Sequence, residues 1–278
     1  MTTLKKAAVI GWPLTHTLSP VIHNHWMANH GVEGVYEKIP VAPDALESTV
    51  LKLKAEGYVG FNVTVPHKEA IIPYLDKIAP LARLMGAVNT VKIDENGVTT
   101  GFNTDGIGLV ANLQKSVASW PKDKPALVLG AGGAARAAAL GLLNEDLPFV
   151  MISNRTRAKA EAVAAEVGRG RMVVSDWDNR HEAASSAGLI VNTTVLGMHG
   201  NPPLDVDLSK AGKDTVVYDI VYQPLITPLL EHAAEHGLRT VTGLGMLVFQ
   251  AAAAFKIWFD VMPEYDEALK DRLEAVFR

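Results

Sequence analysis

The chain has no cysteine, which excludes disulfides, thiolate catalysis and cysteine-ligated zinc and leaves nothing that points to an oxidising compartment. It has no block of like charges: 26 Lys and Arg against 30 Asp and Glu leave a formal net charge of −4, which argues against nucleic-acid or membrane-surface partners and for a small molecule. Aromatic residues are few. No hydrophobic run can span a bilayer, since the longest, Met246 to Phe259, is interrupted by Gln250 and Lys256 and is too short. It reads as a buried helix. Met1 to Lys6 carries no signal-peptide pattern, so a cytoplasmic location is expected. The nine histidines form no H-E-x-x-H or comparable pair. His23 and His25, two apart on a predicted helix, cannot share a face, and no metal is expected. Repeats and low-complexity tracts are also missing.

What remains is a globular composition in 278 residues, enough for one large domain or two ordinary ones. Strand-like and helix-like segments alternate throughout, the pattern of an α/β protein with mostly parallel sheets. In the first half, strands are expected at Ala7 to Gly11, Val35 to Val41 and Gly60 to Val65, and helices at Pro20 to His30, Pro43 to Glu56, Lys68 to Leu75 and Pro80 to Met85. A hairpin follows, Asn89 to Asp94 and Gly97 to Asn103, turning at Glu95-Asn96-Gly97. A helix from Gly106 leads to the polar, proline-bounded stretch Trp120 to Pro125, which reads as a hinge-side loop. Further strands are expected at Ala126 to Leu129, Phe149 to Ser153, Met172 to Val174, Leu189 to Asn192, Val216 to Ile220 and Thr240 to Val241. Two last helices, Gly245 to Asp260 and Glu264 to Phe277, have no strand left to pair and are expected to return to the first domain.

A turn rich in small residues, Gly130-Ala131-Gly132-Gly133-Ala134-Ala135-Arg136, joins the apolar run Ala126 to Leu129 to a helix. It fits G-x-G-x-x-[G/A], in which small residues admit a pyrophosphate and the helix turns its positive end toward it. The next strand ends in Ser153-Asn154-Arg155-Thr156, followed by Arg157 and Lys159, where an NAD-specific fold carries Asp or Glu. A carboxylate there would repel a 2′-phosphate, whereas arginine grips it through paired charge-assisted bonds. NADP is therefore the expected cofactor. The alternative is a basic helix start that is merely solvated, which is unfavourable at a helix N-terminus without an anion.

Polar residues of the first half gather at strand ends, where α/β folds place ligands. Thr17 and Ser19 precede a helix, a position that suits a carboxylate, and Ser19 before Pro20 is an equally good plain N-cap. Lys68, in Asn62-Val63-Thr64-Val65-Pro66-His67-Lys68-Glu69, is either a proton donor at the sheet mouth or a surface lysine paired with Glu69. Asn89 offers an amide to a hydroxyl. Asp105, in Asn103-Thr104-Asp105-Gly106, would orient Lys68 or accept from a substrate hydroxyl.

Together these segments resemble the shikimate dehydrogenase family over nearly the whole chain. The opening motif spans Gly11 to Asn24, the lysine motif Asn62 to Glu69, and later motifs Gly86 to Thr90 and Asn103 to Gly106. Asn192-Thr193-Thr194, Tyr218 to Tyr222 and Gly243 to Gln250 follow in the family's order. The resemblance implies two α/β domains with a cleft between them: a substrate-binding domain with a mixed or parallel sheet, residues 1–104 plus 244–278, and a Rossmann-like NADP-binding domain, residues 105–243. It implies reversible NADPH-dependent reduction of 3-dehydroshikimate to shikimate in aromatic biosynthesis, by a monomer or homodimer. Thr17 and Ser19 would hold the substrate carboxylate; Thr64, Asn89, Asp105 and Gln250 the ring hydroxyls; Tyr222 would line the cleft; Lys68, with Asp105, would supply the proton. Cofactor contacts would come from Gly130, Ala131, Gly132, Gly133, Ala134, Asn154, Arg155, Thr156, Lys159, Thr193, Ile220, Gly243 and Met246. His67 receives no catalytic role. Thr17 stands where the family commonly has serine, which leaves a quinate or quinate/shikimate dehydrogenase using NAD as the enzymatic alternative. Since a fold does not fix function, the non-catalytic alternative is a nucleotide sensor on the same fold.

Overall fold

The structure is a computed structural model describing residues 4–15 and 17–277. Met1 to Thr3 at the start, His16 of the opening motif and Arg278 at the end of the charged C-terminal stretch lie outside the described residues. The chain divides into two compact units, one formed by the residues up to Thr104 together with Gln250–Val276, the other by Asp105–Phe249.

The first unit is built on a mixed sheet. Its strands are β1 (Lys5–Gly11), β2 (Gly34–Pro40), β3 (Tyr58–Val63), β4 (Lys77–Ile78), β5 (Thr90–Ile93) and β6 (Thr99–Phe102), in the spatial order β2-β1-β3-β5-β6-β4. Helices α1 (Ser19–Asn29) and α2 (Leu46–Ala55) are the crossovers that keep β1, β2 and β3 parallel, as connections of that length allow. The direct hairpin between β5 and β6 then reverses direction. Its turn is fixed by chemistry: Asp94 Oδ1 accepts from the backbone N–H of Asn96 and of Val98, each at 2.9 Å, and Gly97 takes a φ of 75° that suits glycine. Ile10, Val50, Leu53, Phe61 and Val91 belong to the core of this unit.

Two details differ from the sequence reading. The helix expected from Lys68 to Leu75 is split into α3 (His67–Ala70) and a 3₁₀ turn, Ile72–Tyr74, because Pro73 has no N–H to continue an α-helix. The two-residue strand β4, just before α4 (Pro80–Met85), is too short to leave a periodic signal.

In the second unit every strand pair is parallel. After α5 (Asp105–Ser116) come β7 (Ala126–Leu129), α6 (Gly133–Leu142), β8 (Val150–Ser153), α7 (Arg157–Val167), β9 (Met172–Ser175), α8 (Arg180–Ser186), β10 (Leu189–Asn192), β11 (Val216–Asp219), α9 (Pro228–Glu235) and β12 (Arg239–Val241). The order β12-β11-β10-β7-β8-β9 makes this a doubly wound sheet, with its topological switch between β7 and β10. All four residues are buried in each of β7, β8, β10 and β11, which is why these strands read as continuous apolar runs.

The stretch from Trp120 to Pro125 lies inside this unit, between α5 and β7, and is not the crossing point: the chain passes from one unit to the other between Thr104 and Asp105. It passes back between Phe249 and Gln250, inside α10 (Gly243–Phe259), rather than at the helix start near residue 244. A helix whose ladder contains no proline continues through such a boundary without a break. Its first turn is packed in the second unit, where a Cβ on Gly245 would meet Asn112 Oδ1 at 1.9 Å. Its far end is fixed in the first, where Trp258 Nε1 donates to the Val91 carbonyl at 2.9 Å. α11 (Glu267–Glu274) belongs to the first unit, burying Leu269 and Leu273 and exposing Glu267, Asp271 and Arg272. Among the described residues no helix is long and apolar enough to cross a membrane.

Candidate active site

In the first unit the carboxyl ends of β1 and β3 are pressed together. Thr64 N–H donates to the Ile10 carbonyl at 2.9 Å and Trp12 N–H to the Val65 carbonyl at 3.0 Å. Only glycine fits at position 11, since a Cβ there would meet Thr64 Cγ2 at 2.4 Å. Just beyond, the Thr17 hydroxyl donates to Ser19 Oγ at 3.2 Å and accepts the Ser19 N–H at 3.3 Å. Ser19 is buried inside the first turn of α1, whose N-cap residue is Leu18 without a side-chain cap bond. The serine is therefore not the plain N-cap that its place before Pro20 allowed.

Lys68 is half-buried on α3 and Glu69 is exposed. The Lys68 carbonyl accepts from Val88 N–H at 2.8 Å, which brings the lysine's backbone to the segment that carries Asn89. His67 is buried and consumed structurally, its Nε2 donating to the Val41 carbonyl at 2.7 Å.

Asn89 is the centre of a buried polar cluster. Its Oδ1 accepts from Thr104 N–H at 2.9 Å and from the Thr90 hydroxyl at 3.0 Å. Its Nδ2 donates to Thr104 Oγ1 at 2.9 Å and to Gln250 Oε1 at 3.3 Å. Residues 161 positions apart, Asn89 and Gln250, thus meet in one unit, and Asp105 follows Thr104 directly in the chain, buried at the start of α5. The cluster extends to Asn62, whose Nδ2 donates to the Asn89 carbonyl at 3.1 Å and to Thr90 Oγ1 at 3.0 Å, and from Asn62 to Tyr36, whose hydroxyl donates to Asn62 Oδ1 at 2.7 Å. Asn62, Thr90, Thr104 and Tyr36 were absent from the expected site. The first three sit inside or beside the motifs that carry the resemblance, whereas a tyrosine on a strand gives no sequence signal beyond core packing.

In the second unit the end of β7 is shaped for a ligand. Gly130 has a φ of 114°, and a Cβ on it would meet Thr193 Oγ1 at 2.6 Å. That hydroxyl donates to the Leu129 carbonyl at 2.7 Å, pinning Thr193 beside the turn. Gly132 caps α6, and a Cβ on it or on Gly133 would meet nothing within 4 Å, so open space lies over the positive end of the helix.

At the end of β8, Asn154 Nδ2 donates to the Thr156 carbonyl at 2.9 Å, holding the turn that presents Arg155. Arg157 is neutralised by Glu161 at 2.8 Å and by Asp176; those acids also raise its pKa, Asp176 first. Arg155 and Lys159 are exposed and have no ion-pair partner among the described residues. The residues present therefore fit a dinucleotide with an extra phosphate: an open glycine cradle, no acid at the end of β8, and two uncompensated cations beside it.

The ends of β10 and β11 are tied by a buried carboxylate. Asp219 accepts from Asn192 Nδ2 at 3.0 Å, Val221 N–H at 3.0 Å and the Thr227 hydroxyl at 2.7 Å. Burial pushes its pKa up, against the pull of these bonds. The knot holds the segments bearing Thr193, Ile220 and Tyr222; Tyr222 is half-buried, and burial raises its phenol pKa. Gly243 approaches the Ile220 carbonyl so closely that a Cβ would lie 2.1 Å away, and Met246 is buried three residues on.

Comparison with known proteins bears on both units. The family model described as "Shikimate dehydrogenase substrate binding domain" matches residues 9–91, that of "Shikimate / quinate 5-dehydrogenase" residues 112–199, and that of "Shikimate 5'-dehydrogenase C-terminal domain" residues 243–270. The NADP(+) shikimate dehydrogenase of Methylobacterium radiotolerans is 48% identical over 273 residues, covering 97% of this chain and 96% of that protein. The crystal structure of shikimate 5-dehydrogenase from Thermus thermophilus with NADP(H) and shikimate superposes with a TM-score of 0.87 at 34% identity, covering 99% of this chain and 100% of that one. Quinate dehydrogenase from Corynebacterium glutamicum with NAD reaches a TM-score of 0.90 at 29% identity, over 98% of this chain and 99% of that one. Three family models placed in order on a mixed sheet and a doubly wound parallel sheet leave one conclusion: the chain belongs to the shikimate dehydrogenase family.

Proposed function

We propose that this chain catalyses the reversible NADPH-dependent reduction of 3-dehydroshikimate to shikimate, with Lys68 as the proton donor and the first unit as the substrate side. The observation that carries the residue assignment is the convergence on Asn89. Its amide binds Gln250 and Thr104, the latter adjacent to Asp105, and the preceding residue, Val88, bonds to the backbone of Lys68. Amides, hydroxyls and a lysine from distant parts of the chain thus share one small region, the chemistry that a polyhydroxylated ring with a ketone requires.

The roles follow from charge. Thr17 and Ser19 present two hydroxyls at the start of α1, where a carboxylate is stabilised by donors and by the helix dipole. Thr64, Asn89, Asp105 and Gln250 take the ring hydroxyls. When bound, the nicotinamide supplies the hydride that adds to the ketone carbon. As the carbonyl π pair moves onto oxygen, the Lys68 ammonium stabilises the alkoxide and transfers one proton to it, leaving a neutral amine. In the oxidation of shikimate that amine takes the hydroxyl proton back. Tyr222 completes the substrate set on the resemblance.

Gly130, Ala131, Gly132, Gly133 and Ala134 would cradle the pyrophosphate. Asn154, Arg155, Thr156 and Lys159 would hold the 2′-phosphate, with Thr193, Ile220, Gly243 and Met246 on the nicotinamide side. Residues 1–104 with the C-terminal helices act as the substrate domain and residues from 105 onward as the NADP domain. Thr17 supports a second activity: its extra methyl alters the carboxylate clamp, so quinate is the competitor to test. Steady-state oxidation of shikimate and of quinate, each with NADP+ and with NAD+, gives four specificity constants that test the proposal. Shikimate with NADP+ is expected to be highest; a higher value for quinate with NAD+ would replace the proposal with its runner-up.

A further inference from the structure

Tyr36 lies outside every motif in the resemblance, yet it is fastened at three points. It sits on β2, the edge strand of the first sheet, where its backbone N–H and C=O face away from β1. Both are taken by the side chain of Asn24 on α1: Tyr36 N–H donates to Asn24 Oδ1 at 2.8 Å and Asn24 Nδ2 donates to the Tyr36 carbonyl at 2.9 Å. Its ring stacks on His23 of the same helix, centroids 4.1 Å apart and planes within 11°. Its hydroxyl, buried, reaches across to Asn62 on β3.

The consequence is geometric. α1 carries Ser19, and Asn62 holds the carbonyl of Asn89. The Asn89 carbonyl, which can only accept, faces Asn62 Nδ2 and so orients the amide; Tyr36 donates to the Oδ1 at its other end and anchors the side chain that makes the two onward donations to Asn89 and Thr90. A hydroxyl pair at one end and an amide cluster at the other are linked through a single buried side chain.

We infer that Tyr36 is a positioning residue for the substrate, setting the helix that carries the carboxylate clamp against the amides that take the ring hydroxyls. It touches no substrate. It rests on the site reading proposed above and adds a residue to it. The physical warrant is that a rigid ring held at both ends tolerates little misregister, and displacement on the scale of 1 Å is enough to cost about two orders of magnitude in rate.

The test is Tyr36→Phe, which keeps the ring and its stack and removes one hydroxyl. The KM for shikimate is expected to rise roughly tenfold while the KM for NADP+ stays within about twofold. In a double-mutant cycle with Ser19→Ala the two losses in kcat/KM should be less than multiplicative, because both act on the carboxylate end. The methyl ester of shikimate should feel the loss of the phenol less than shikimate does. Asn24→Ala, which frees the Tyr36 backbone without touching its hydroxyl, is expected to show the same split between the two KM values. An unchanged shikimate KM in Tyr36→Phe, equal rises for both ligands, or strict multiplicativity with Ser19→Ala overturns the inference. Ser19→Ala alone separates the two levels. If it leaves the shikimate KM unchanged, the site reading falls and the inference with it; if it raises KM and Tyr36→Phe does not, only the inference falls.

Discussion

His23 shows how one residue can set a pH limit on the whole fold. It is fully buried among Tyr36, Trp26, Phe255 and Trp258, and neither ring nitrogen has a hydrogen-bond partner among the described residues. Burial lowers its pKa from 6.5 to about 3. A base whose folded pKa lies below its unfolded value leaves the unfolded chain holding the extra proton, so stability falls as pH drops through the window from about 6.5 to about 3. His23→Phe keeps the stack and removes the titration. Urea unfolding at pH 7 should show the variant equal to the parent or more stable by about 1 kcal/mol, and the parent should lose progressively more stability than the variant at pH 6, 5 and 4. Parallel pH curves for the two proteins would be inconsistent with a neutral buried imidazole. Lys68, the proposed proton donor, makes the complementary case, since help with proton transfer is needed mainly in the transition state. Lys68→Ala should lower kcat by about two to four orders of magnitude while shikimate binding, read by calorimetry, changes far less. Undiminished turnover would end its assignment as proton donor.

The turn between β8 and α7 shows why three neighbouring cations are not equivalent. Arg157 is satisfied within its own unit by Glu161 and Asp176, so the unfavourable start of α7 is already relieved at that residue. Arg155 and Lys159 are not relieved. Arg155→Ala is therefore expected to raise the KM for NADP+ about tenfold with little change for NAD+, whereas Arg157→Ala should leave the NADP+ KM within about twofold and cost stability slightly. Equal losses for both coenzymes in Arg155→Ala would remove the phosphate clamp. The basic cluster was legible in the sequence, but its division was not, because Asp176 lies on a different strand end. Elements followed the same rule. β7 and β10 were readable to the residue because a strand buried on both faces is a bare apolar run. The split of α3 from its 3₁₀ turn was foreshadowed by Pro73, and β4 was not foreshadowed at all. Among site residues, Thr17, Ser19, Lys68 and Asn89 came from motifs, while Tyr36 became visible only once β2 was placed beside α1, since edge position is a property of the sheet and not of the segment.

At the scale of the molecule, a chain of net charge −4 is being asked to bind two anions. The net charge does not favour them, so on the proposed reading affinity for the coenzyme phosphate comes from local groups: the glycine cradle at the start of α6 and the uncompensated pair Arg155 and Lys159. The two contributions differ in how salt affects them. Backbone N–H groups facing a pyrophosphate at a helix end act at contact, whereas exposed cations act through solvent and are screened as the Debye length falls from about 10 Å at 0.1 M to about 3 Å at 1 M salt. Across that range the KM for NADP+ should therefore rise several-fold, the KM for NAD+ should change much less, and Arg155→Ala should lose most of the salt dependence seen for NADP+. The Lys159→Ala variant is expected to lose a smaller share, because a flexible ammonium gives no bidentate contact. Parallel salt responses for the two coenzymes would instead assign the preference to the shape of the glycine turn, and the pair of free cations would then be no more than a solvated face.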